Sequence, residues 1–313
     1  MRVLVMGSGA IGGYYGGLLA RRGHDVAFVA RGAHLAAMQE RGLEIRSGEG
    51  TIALRPVRAV AAPAEAGADF DLALFAVKTY DTEEAAAALR PAVGPRTAVL
   101  TLQNGVDSAG QLSAALGAEH VLAGATYVAA TLIEPGVIGH TTPFRRITFG
   151  ELSGAITPRA EAIADALRDA GVEVTVSADP RAAVWSKFVM LAPHASITSA
   201  SQTPVGPIRE TPEGLALYRQ LVAEAVAVGR AEGVALAPDA EAAAMDAIIS
   251  FPPGTKTSLQ VDFERQNRVE LEQLTGAVVR RGRQAGVPTP GFDALYAALK
   301  ARALSYGGLA RRQ

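Results

Sequence analysis

The feature that most constrains the fold is a glycine-rich turn near the start of the sequence. An apolar run, residues 3–6, is followed without a spacer by Gly7-Ser8-Gly9-Ala10-Ile11-Gly12. This is the pattern G-x-G-x-x-G where a buried strand turns directly into a helix. Gly7 permits the tight turn, Gly9 lets the backbone approach a pyrophosphate, and Gly12 lets helix and strand pack closely. With the anion-attracting helix N-terminus, the turn predicts a dinucleotide site; a purely structural turn is the alternative.

Composition and charge narrow the classes of protein. The chain has 313 residues, 49% hydrophobic and 19% charged, which predicts a globular protein of two domains. A net charge of −1 argues against nucleic-acid or membrane-surface partners that depend on a basic field. No apolar run is long enough to span a bilayer, no signal-peptide pattern is present, and there are no cysteines for disulfides or thiolate metal sites. We therefore expect a cytoplasmic protein.

The end of the second predicted strand, residues 25–30, bears on the choice of cofactor. Proteins that prefer NAD usually place Asp or Glu there to hold the ribose 2′-hydroxyl, whereas this sequence has Arg31 followed by Gly32. A guanidinium pairs with a 2′-phosphate, and the sequence shows no carboxylate at that place to repel it. The sequence therefore favours NADP (NADPH) over NAD, with a solvated loop arginine as the alternative.

Polar residues follow two further apolar runs, residues 71–77 and 97–102, which predict buried strands of a parallel sheet. Lys78 follows the first run, and Gln103-Asn104-Gly105 follows the second. Because ligands bind outside the carboxyl ends of such strands, Lys78 and Asn104 are candidate site residues. The alternatives are a solvated lysine and a plain Asn-Gly turn. Residues 42–54 predict a hairpin that leaves the parallel sheet.

A change of pattern marks the predicted domain boundary. Short strands at residues 126–132 and 146–149, a helix at 159–170 and a strand at 172–176 complete the first half. Beyond residue 179 only helical spacing remains, including segments 214–232 and 240–249 and one long segment from Thr255 or Thr257 to residue 285. The fold class predicted is α/β, with a Rossmann-type dinucleotide-binding domain at 1–178 and an all-α domain at 179–313.

One lysine interrupts a mostly apolar helix predicted at residues 182–191. Lys187 follows Trp185 and precedes Phe188. A lysine inside such a helix either extends its ammonium to solvent or is held for chemistry. The residues alone favour the first interpretation.

In this order the motifs resemble the 2-dehydropantoate 2-reductases, also called ketopantoate reductases, over nearly the whole length. The resemblance rests on the glycine-rich turn, Arg31, Lys78, residues 103–105, residues 184–188, and finally Ser258 and Glu270. It implies a Rossmann domain followed by an all-helical domain. It also implies NADPH as the hydride donor and a 2-oxo acid substrate that is reduced to a 2-hydroxy acid.

The resemblance also assigns roles to individual residues. Lys187 resembles the catalytic lysine, which would stabilise and protonate the alkoxide that forms when hydride reaches the ketone. Shielding by Trp185 and Phe188 would disfavour its charged form and make it a better acid. The remaining assignments are Asn104 near both nicotinamide and substrate, Ser258 as an anchor for the substrate carboxylate, Glu270 as a polar contact on the cofactor side, Ala130 among the cofactor-binding residues, and Lys78 as added positive charge.

The sequence also departs from the family pattern. Asparagines common in the family four and eight residues after the lysine, and once further on, are replaced here by Leu191, Ala195 and Val205. His194 lies on the same helix face as Lys187 and is a candidate to contact the substrate instead, with a packed histidine as the alternative. On one straight helix, Ser258 and Glu270 would be about 18 Å apart, too far to serve one end of a small ligand.

Several alternatives therefore stay open. The substrate is ketopantoate, in pantothenate biosynthesis, or a more apolar 2-oxo acid or imine. A non-catalytic NADP-binding sensor would keep the glycine-rich turn but would not need Lys187. No histidine or carboxylate cluster has metal-ligand spacing. Alanine-rich helices in the second half would offer flat surfaces for a homodimer.

Overall fold

The computed structural model describes residues 1–309; residues 310–313, the end of the predicted helical domain, lie outside the described part. The chain forms two compact units. The first contains residues 1–103 and 107–183, and the second contains residues 104–106 together with the chain from residue 184 onward. A three-residue segment from the first half of the sequence thus belongs to the second unit.

The first unit is built on one mixed sheet, in which ten strands are described. They are β1 (Arg2–Met6), β2 (Asp25–Val29), β3 (Leu43–Ser47), β4 (Gly50–Leu54), β5 (Arg58–Val60), β6 (Leu72–Phe75), β7 (Ala98–Thr101), β8 (Val121–Glu134), β9 (Val137–Glu151) and β10 (Glu173–Val176). Their order is β4-β3-β9-β8-β7-β6-β1-β2-β5, and β10 pairs with β9.

Six of these strands, in the order β5-β2-β1-β6-β7-β8, pair in parallel. In chain order they are the third, second, first, fourth, fifth and sixth of the set, which is the doubly wound Rossmann arrangement. Val5 of β1 pairs with Phe28 on one side and with Leu74 on the other. The strand order therefore reverses between β1 and β6, and the predicted α/β class is confirmed.

Helices cover this sheet: α1 (Ala10–Arg21), α2 (Gly32–Arg41), α3 (Thr82–Leu89), α4 (Ser108–Leu116) and α5 (Pro158–Asp169). Helix α1 lies very close to the strands because it carries glycines on its buried side. A Cβ on Gly16 would come within 2.8 Å of Val5 and Phe28, and one on Gly17 would come within 2.6 Å of Ile45. The spacing of α1 from the sheet thus depends on glycine.

Two expectations about the strands are wrong. The hairpin β3–β4 does not leave the sheet, because β3 pairs in parallel with β9 and its Leu43 and Ile45 are buried in the core. Residues 121–151 form two long antiparallel strands rather than several short ones. The ladder between these two strands has register shifts between Val128 and Ala130 and between Leu132 and Glu134, and the second shift falls where the predicted strand 126–132 ends.

The second unit is helical: α6 (Pro180–Ser201), of which residues 184 onward belong to this unit, α7 (Val205–Arg209), α8 (Pro212–Ala231), α9 (Ala240–Ser250), α10 (Ser258–Glu264), α11 (Thr275–Ala285) and α12 (Pro290–Ser305). No helix among residues 1–309 is long and apolar enough to cross a membrane.

The long helical segment expected up to residue 285 is in fact two helices. Helix α10 ends at Glu264, and the backbone N–H of Asn267 donates to the carbonyl of Asp262 at 2.8 Å. Gln266 adopts a positive φ of 53°, which ends the helical path. Ser258 therefore opens α10, while Glu270 lies in the irregular segment before α11. The separation calculated for one straight helix does not apply.

Candidate active site

The three glycines of the turn after β1 occupy three different environments. Gly7 has φ of +94°, and a Cβ there would lie 2.8 Å from the backbone nitrogen of Val77. A Cβ on Gly12 would overlap the carbonyl oxygen of Gly7. Gly9 is exposed, and nothing lies within 4 Å of where its Cβ would be. The geometry fits a turn glycine, a packing glycine and, at Gly9, open space for a ligand to approach the backbone.

Ser8 is turned into the protein. Its N–H and its hydroxyl both donate to the carbonyl of Val29, at 3.0 and 2.9 Å, and its side chain is buried. These two groups hold the turn against the end of β2. A direct contact of Ser8 with a phosphate stays a prediction, as do contacts of the neighbouring Ala10 and Ile11.

Arg31 immediately precedes α2, and its guanidinium faces a carboxylate that the sequence pattern did not reveal. The side chain is 62% exposed, and one guanidinium nitrogen lies 3.7 Å from Oε1 of Glu84 on α3. Glu84 is far away in sequence, so inspecting the residues after β2 could not have found it. A cofactor phosphate that binds Arg31 would have to compete with this carboxylate.

The ends of β6 and β7 are tied together by Gln103. Its Nε2 donates to the carbonyl of Val77 and to the hydroxyl of Thr82, both at 2.9 Å. This fixes the backbone just before Lys78, which is half-buried. Ala130 of β8 is partly buried and packs against the core of the first unit. Both remain candidate cofactor contacts.

In the second unit, Lys187 and Asn104 form a direct pair. Nζ of Lys187 donates to Oδ1 of Asn104 at 2.7 Å. Burial disfavours the ammonium and lowers the pKa of Lys187 to about 8, while the negative charge of Glu270 opposes that shift. Glu270, itself buried, therefore acts on the lysine, a relation that the predicted cofactor-side contact did not include. A lysine with such a pKa can release a proton near neutral pH.

Residues 104–106 pack with the helical unit, and this packing places Asn104 beside the lysine. Gly105 has φ of +88°, and a Cβ there would lie 2.9 Å from the carbonyl oxygen of Gln273. The close approach and the positive φ both require glycine. The Asn-Gly pair is thus a turn, and it also places the Asn104 side chain against Lys187.

The aromatic neighbours of Lys187 in the sequence are buried in the helical core. Trp185 and Phe188 are 2% and 1% exposed and contact each other edge to face, with ring centroids 5.3 Å apart. They anchor α6 in the helical core. Shielding of the Lys187 ammonium by these two rings stays a prediction.

Ser258 and the positions that depart from the family pattern differ widely in exposure. Ser258 is exposed at the first turn of α10, where the preceding Thr257 accepts a hydrogen bond from the N–H of Gln260 at 3.2 Å. Leu191 is half-buried, whereas Ala195 and Val205 are fully buried. These three side chains offer no hydrogen-bonding atoms to a substrate.

His194 lies in the core of the helical unit. Its Nδ1 is 3.0 Å from the hydroxyl of Tyr218, and its ring packs on Phe251 with centroids 5.0 Å apart. Its Nε2 is buried without a hydrogen-bond partner among residues 1–309. The structure thus favours the packed histidine, and a contact between His194 and substrate stays a prediction.

The burial of His194 predicts a pH-dependent stability. Burial lowers its pKa to about 4, against about 6.5 in an unfolded chain. Between these two values the unfolded state binds more protons, so the free energy of unfolding decreases as the pH is lowered. The full difference amounts to roughly 3 kcal/mol of unfolding free energy. Urea unfolding at pH 7.5 and 5.0 should show a smaller loss for His194→Asn than for the wild type, because other histidines contribute equally to both. Equal losses would contradict the prediction.

Within residues 1–309 no three histidine or acidic side chains come together in a way that would hold a metal ion. The glycine-rich turn at the strand-order reversal fits a dinucleotide, and the paired Lys187 can supply a proton. Each of these features is one that a dinucleotide-dependent oxidoreductase requires.

Comparison with known proteins identifies the family. The family model described as ketopantoate reductase PanE/ApbA matches residues 3–154, and its C-terminal counterpart matches residues 179–303. The chain belongs to the ketopantoate reductase (2-dehydropantoate 2-reductase) family, as the sequence motifs predict.

Relatives and solved structures agree with this assignment. A 2-dehydropantoate 2-reductase of Halobacterium salinarum is 35% identical over 93% of this chain and 95% of its own. A crystal structure of a PanE/ApbA family ketopantoate reductase from Ralstonia eutropha is 34% identical and has a TM-score of 0.90, covering 98% of this chain and 100% of that one. D-mandelate dehydrogenase, solved with NADH and anilino(oxo)acetate, is 21% identical at a TM-score of 0.89 over 98% of this chain and 99% of that one, which shows a shared fold.

Proposed function

We propose that the protein reduces 2-dehydropantoate (ketopantoate) to pantoate with NADPH, a step of pantothenate biosynthesis. The observation that carries the proposal is the Lys187–Asn104 pair, with Glu270 close enough to influence the lysine charge. A protein that only senses NADP would need no lysine of lowered pKa held by an amide oxygen. The names of the relatives support this choice of substrate.

In the proposed mechanism the protein side chains stabilise the charge that develops on the substrate and supply a proton to it. When bound, the reduced nicotinamide supplies a hydride to the carbonyl carbon of the substrate. Nζ of Lys187 donates a hydrogen bond to the carbonyl oxygen and then transfers a proton to it as negative charge develops. Oδ1 of Asn104 orients that ammonium, and the charge of Glu270 favours its protonated form. Ser258 would hold the substrate carboxylate.

A second candidate is the reduction of a more apolar 2-oxo acid. Leu191, Ala195 and Val205 present no hydrogen-bonding groups where the family commonly has asparagines, so a substrate hydroxyl would find fewer partners. An apolar pocket discriminates by only about 1–3 kcal/mol, whereas a site built for a hydroxyl rejects the analogue without it by about 10⁴-fold or more.

A substrate panel separates these candidates. We expect NADPH oxidation with ketopantoate, and also with 3,3-dimethyl-2-oxobutanoate, which lacks only the hydroxyl, and with 2-oxoisovalerate, which lacks the hydroxymethyl group. Because Leu191, Ala195 and Val205 cannot hydrogen-bond a substrate hydroxyl, kcat/KM for these two analogues should be less than about 1,000-fold below that for ketopantoate. A larger loss would show that a hydroxyl-binding group exists elsewhere, and no turnover with any 2-oxo acid would overturn the proposed function.

For the cofactor, we expect Arg31 to select NADPH and Glu84 to oppose it. Because charge-assisted hydrogen bonds contribute about 1.5–3 kcal/mol, Arg31→Ala should weaken NADPH binding by roughly 10- to 100-fold and leave NADH within about twofold. Glu84→Gln should tighten NADPH a few-fold, because the ion pair at 3.7 Å no longer competes with the phosphate. Titration of both cofactors against the three proteins measures this. Equal affinities for NADH and NADPH in the wild type would contradict the assignment.

A further inference from the structure

A histidine that the sequence motifs did not single out bridges two parts of the first unit. His34 lies in the first turn of α2, three residues after Arg31. Its Nε2 is 2.7 Å from the carbonyl oxygen of Ser8 in the glycine-rich turn, and its Nδ1 is 3.0 Å from the backbone nitrogen of Gly136 in the turn between β8 and β9.

These partners fix the proton on the ring. A backbone N–H can only donate, so Nδ1 of His34 accepts from Gly136, and a carbonyl can only accept, so Nε2 carries the hydrogen that is donated to Ser8. Burial lowers the pKa of His34, although the bond to Ser8 opposes the shift. The neutral ring is therefore the form that satisfies both bonds.

The bond to Ser8 controls the group next to it. The Ser8 carbonyl and the Gly9 N–H belong to one planar trans peptide, in which they point in opposite directions. With the Ser8 N–H and hydroxyl both bound to Val29, a donor on the Ser8 carbonyl sets the rotation of that peptide. His34 therefore sets the direction of the Gly9 N–H, at the glycine where the backbone has open space for a ligand.

The other hydrogen bond of His34, from the N–H of Gly136, joins it to the turn between β8 and β9, which is itself held by further hydrogen bonds. The carbonyl of Gly136 accepts from the N–H of Glu44 at 2.9 Å, and the carbonyl of Pro135 accepts from Arg41 at 3.2 Å. Gly136 has φ of +85°, as this turn requires. The His34 ring is thus held by the backbone of a hydrogen-bonded turn and not by another side chain.

We propose that His34 is a positioning residue for the cofactor, which sets the glycine-rich turn in register with Arg31 so that one dinucleotide meets the Gly9 N–H and the guanidinium together. The proposal rests on the dinucleotide site of the proposed function. His34 makes no contact with the reacting atoms. It acts through the Ser8–Gly9 peptide and through the helix that Arg31 precedes.

The test compares cofactor affinities of single variants of the full chain. His34→Phe keeps a ring but loses both bonds, and we expect it to weaken NADPH binding about tenfold and to lower the NADPH-to-NADH preference, while kcat at saturating NADPH stays within about twofold. His34→Gln places an amide donor where Nε2 was and should recover most of the affinity. His120→Phe is the matched control, because His120 bonds the carbonyl of Thr97 instead of the glycine-rich turn.

The outcomes separate this proposal from the function on which it rests. If the wild type binds both cofactors and His34→Phe binds them equally well, or if His34→Gln recovers nothing, the positioning role is overturned. A drop in melting temperature with unchanged affinity also overturns it, because that is the mark of a structural role alone. A wild type that binds neither NADPH nor NADH overturns the proposed function together with this inference.

Discussion

Replacing Lys187 by methionine should lower kcat by about 10²- to 10⁴-fold, the usual contribution of a positioned proton donor. Methionine keeps a straight chain of similar length, so packing along α6 is preserved while the ammonium is lost. KM should rise as well, because the ammonium also attracts the anionic substrate. Steady-state kinetics with ketopantoate measure both parameters, and an NADPH titration confirms that the cofactor site is intact.

A matched control for this variant is Lys256→Met. Lys256 lies in the same unit, is 43% exposed and pairs with Glu264 at 2.9 Å, so its loss should leave kcat unchanged within about twofold. In the wild type, kcat/KM should fall as pH rises above about 8, where Lys187 loses its proton. Turnover by Lys187→Met within a few-fold of the wild type would contradict the catalytic assignment. The alternative interpretation, a lysine that extends its ammonium to solvent, would then stand.

Two alanine substitutions in the same six-residue turn should affect different properties, one the affinity for NADPH and the other the stability of the fold. Gly9→Ala should keep the protein folded, because Gly9 has φ of −68° and open space around it, yet weaken NADPH by about 100-fold, because a methyl group keeps the pyrophosphate from the backbone. Gly12→Ala should lower the free energy of unfolding by about 3 kcal/mol, because its Cβ meets the carbonyl of Gly7 and the side chain of Val5.

Urea unfolding and NADPH titration of both variants test this contrast. Each variant serves as the control for the other, since both remove one glycine from one turn. A Gly9→Ala protein with wild-type affinity would show that no ligand approaches the backbone there. A Gly12→Ala protein of wild-type stability would show that α1 can shift away from β1 without loss.

The sequence predicts those parts of the fold and site that depend on local pattern. Apolar runs identify β1, β2, β6 and β7, and the three glycines of the turn have distinct requirements that follow from their spacing. The pairing of β3 with β9 could not be predicted, because strands that are distant in sequence leave no local pattern that marks them as partners. Glu84 and His34 were missed for the same reason, since each becomes relevant only through a partner brought near by folding.

The helical unit shows the same limit more sharply. Helical spacing predicts α6, α8 and α9 well, yet it joins α10 to α11, because the bonds of Asn267 to Asp262 that end α10 are invisible in a hydropathy pattern. Lys187 was recognised through family resemblance, whereas its own surroundings in the sequence suggested a solvent-directed side chain. In the structure the side chain of Lys187 donates to Asn104, and the charge of Glu270 opposes the lowering of the lysine pKa, while the catalytic role of Lys187 stays a prediction. The substrate contacts of Ser258 and His194, the homodimer and the cytoplasmic location stay predictions.

The assignment of residues 104–106 to the helical unit sets a limit on how this protein can be divided. A fragment that starts at the beginning of α6 would contain Lys187 and Glu270 but not Asn104, and Gln273 would lose the glycine packed against its carbonyl. The complementary fragment would keep the asparagine without the lysine. Neither fragment alone could therefore contain the Lys187–Asn104 pair, and domain exchange with another member of the family would have to carry residues 104–106 together with the whole helical unit.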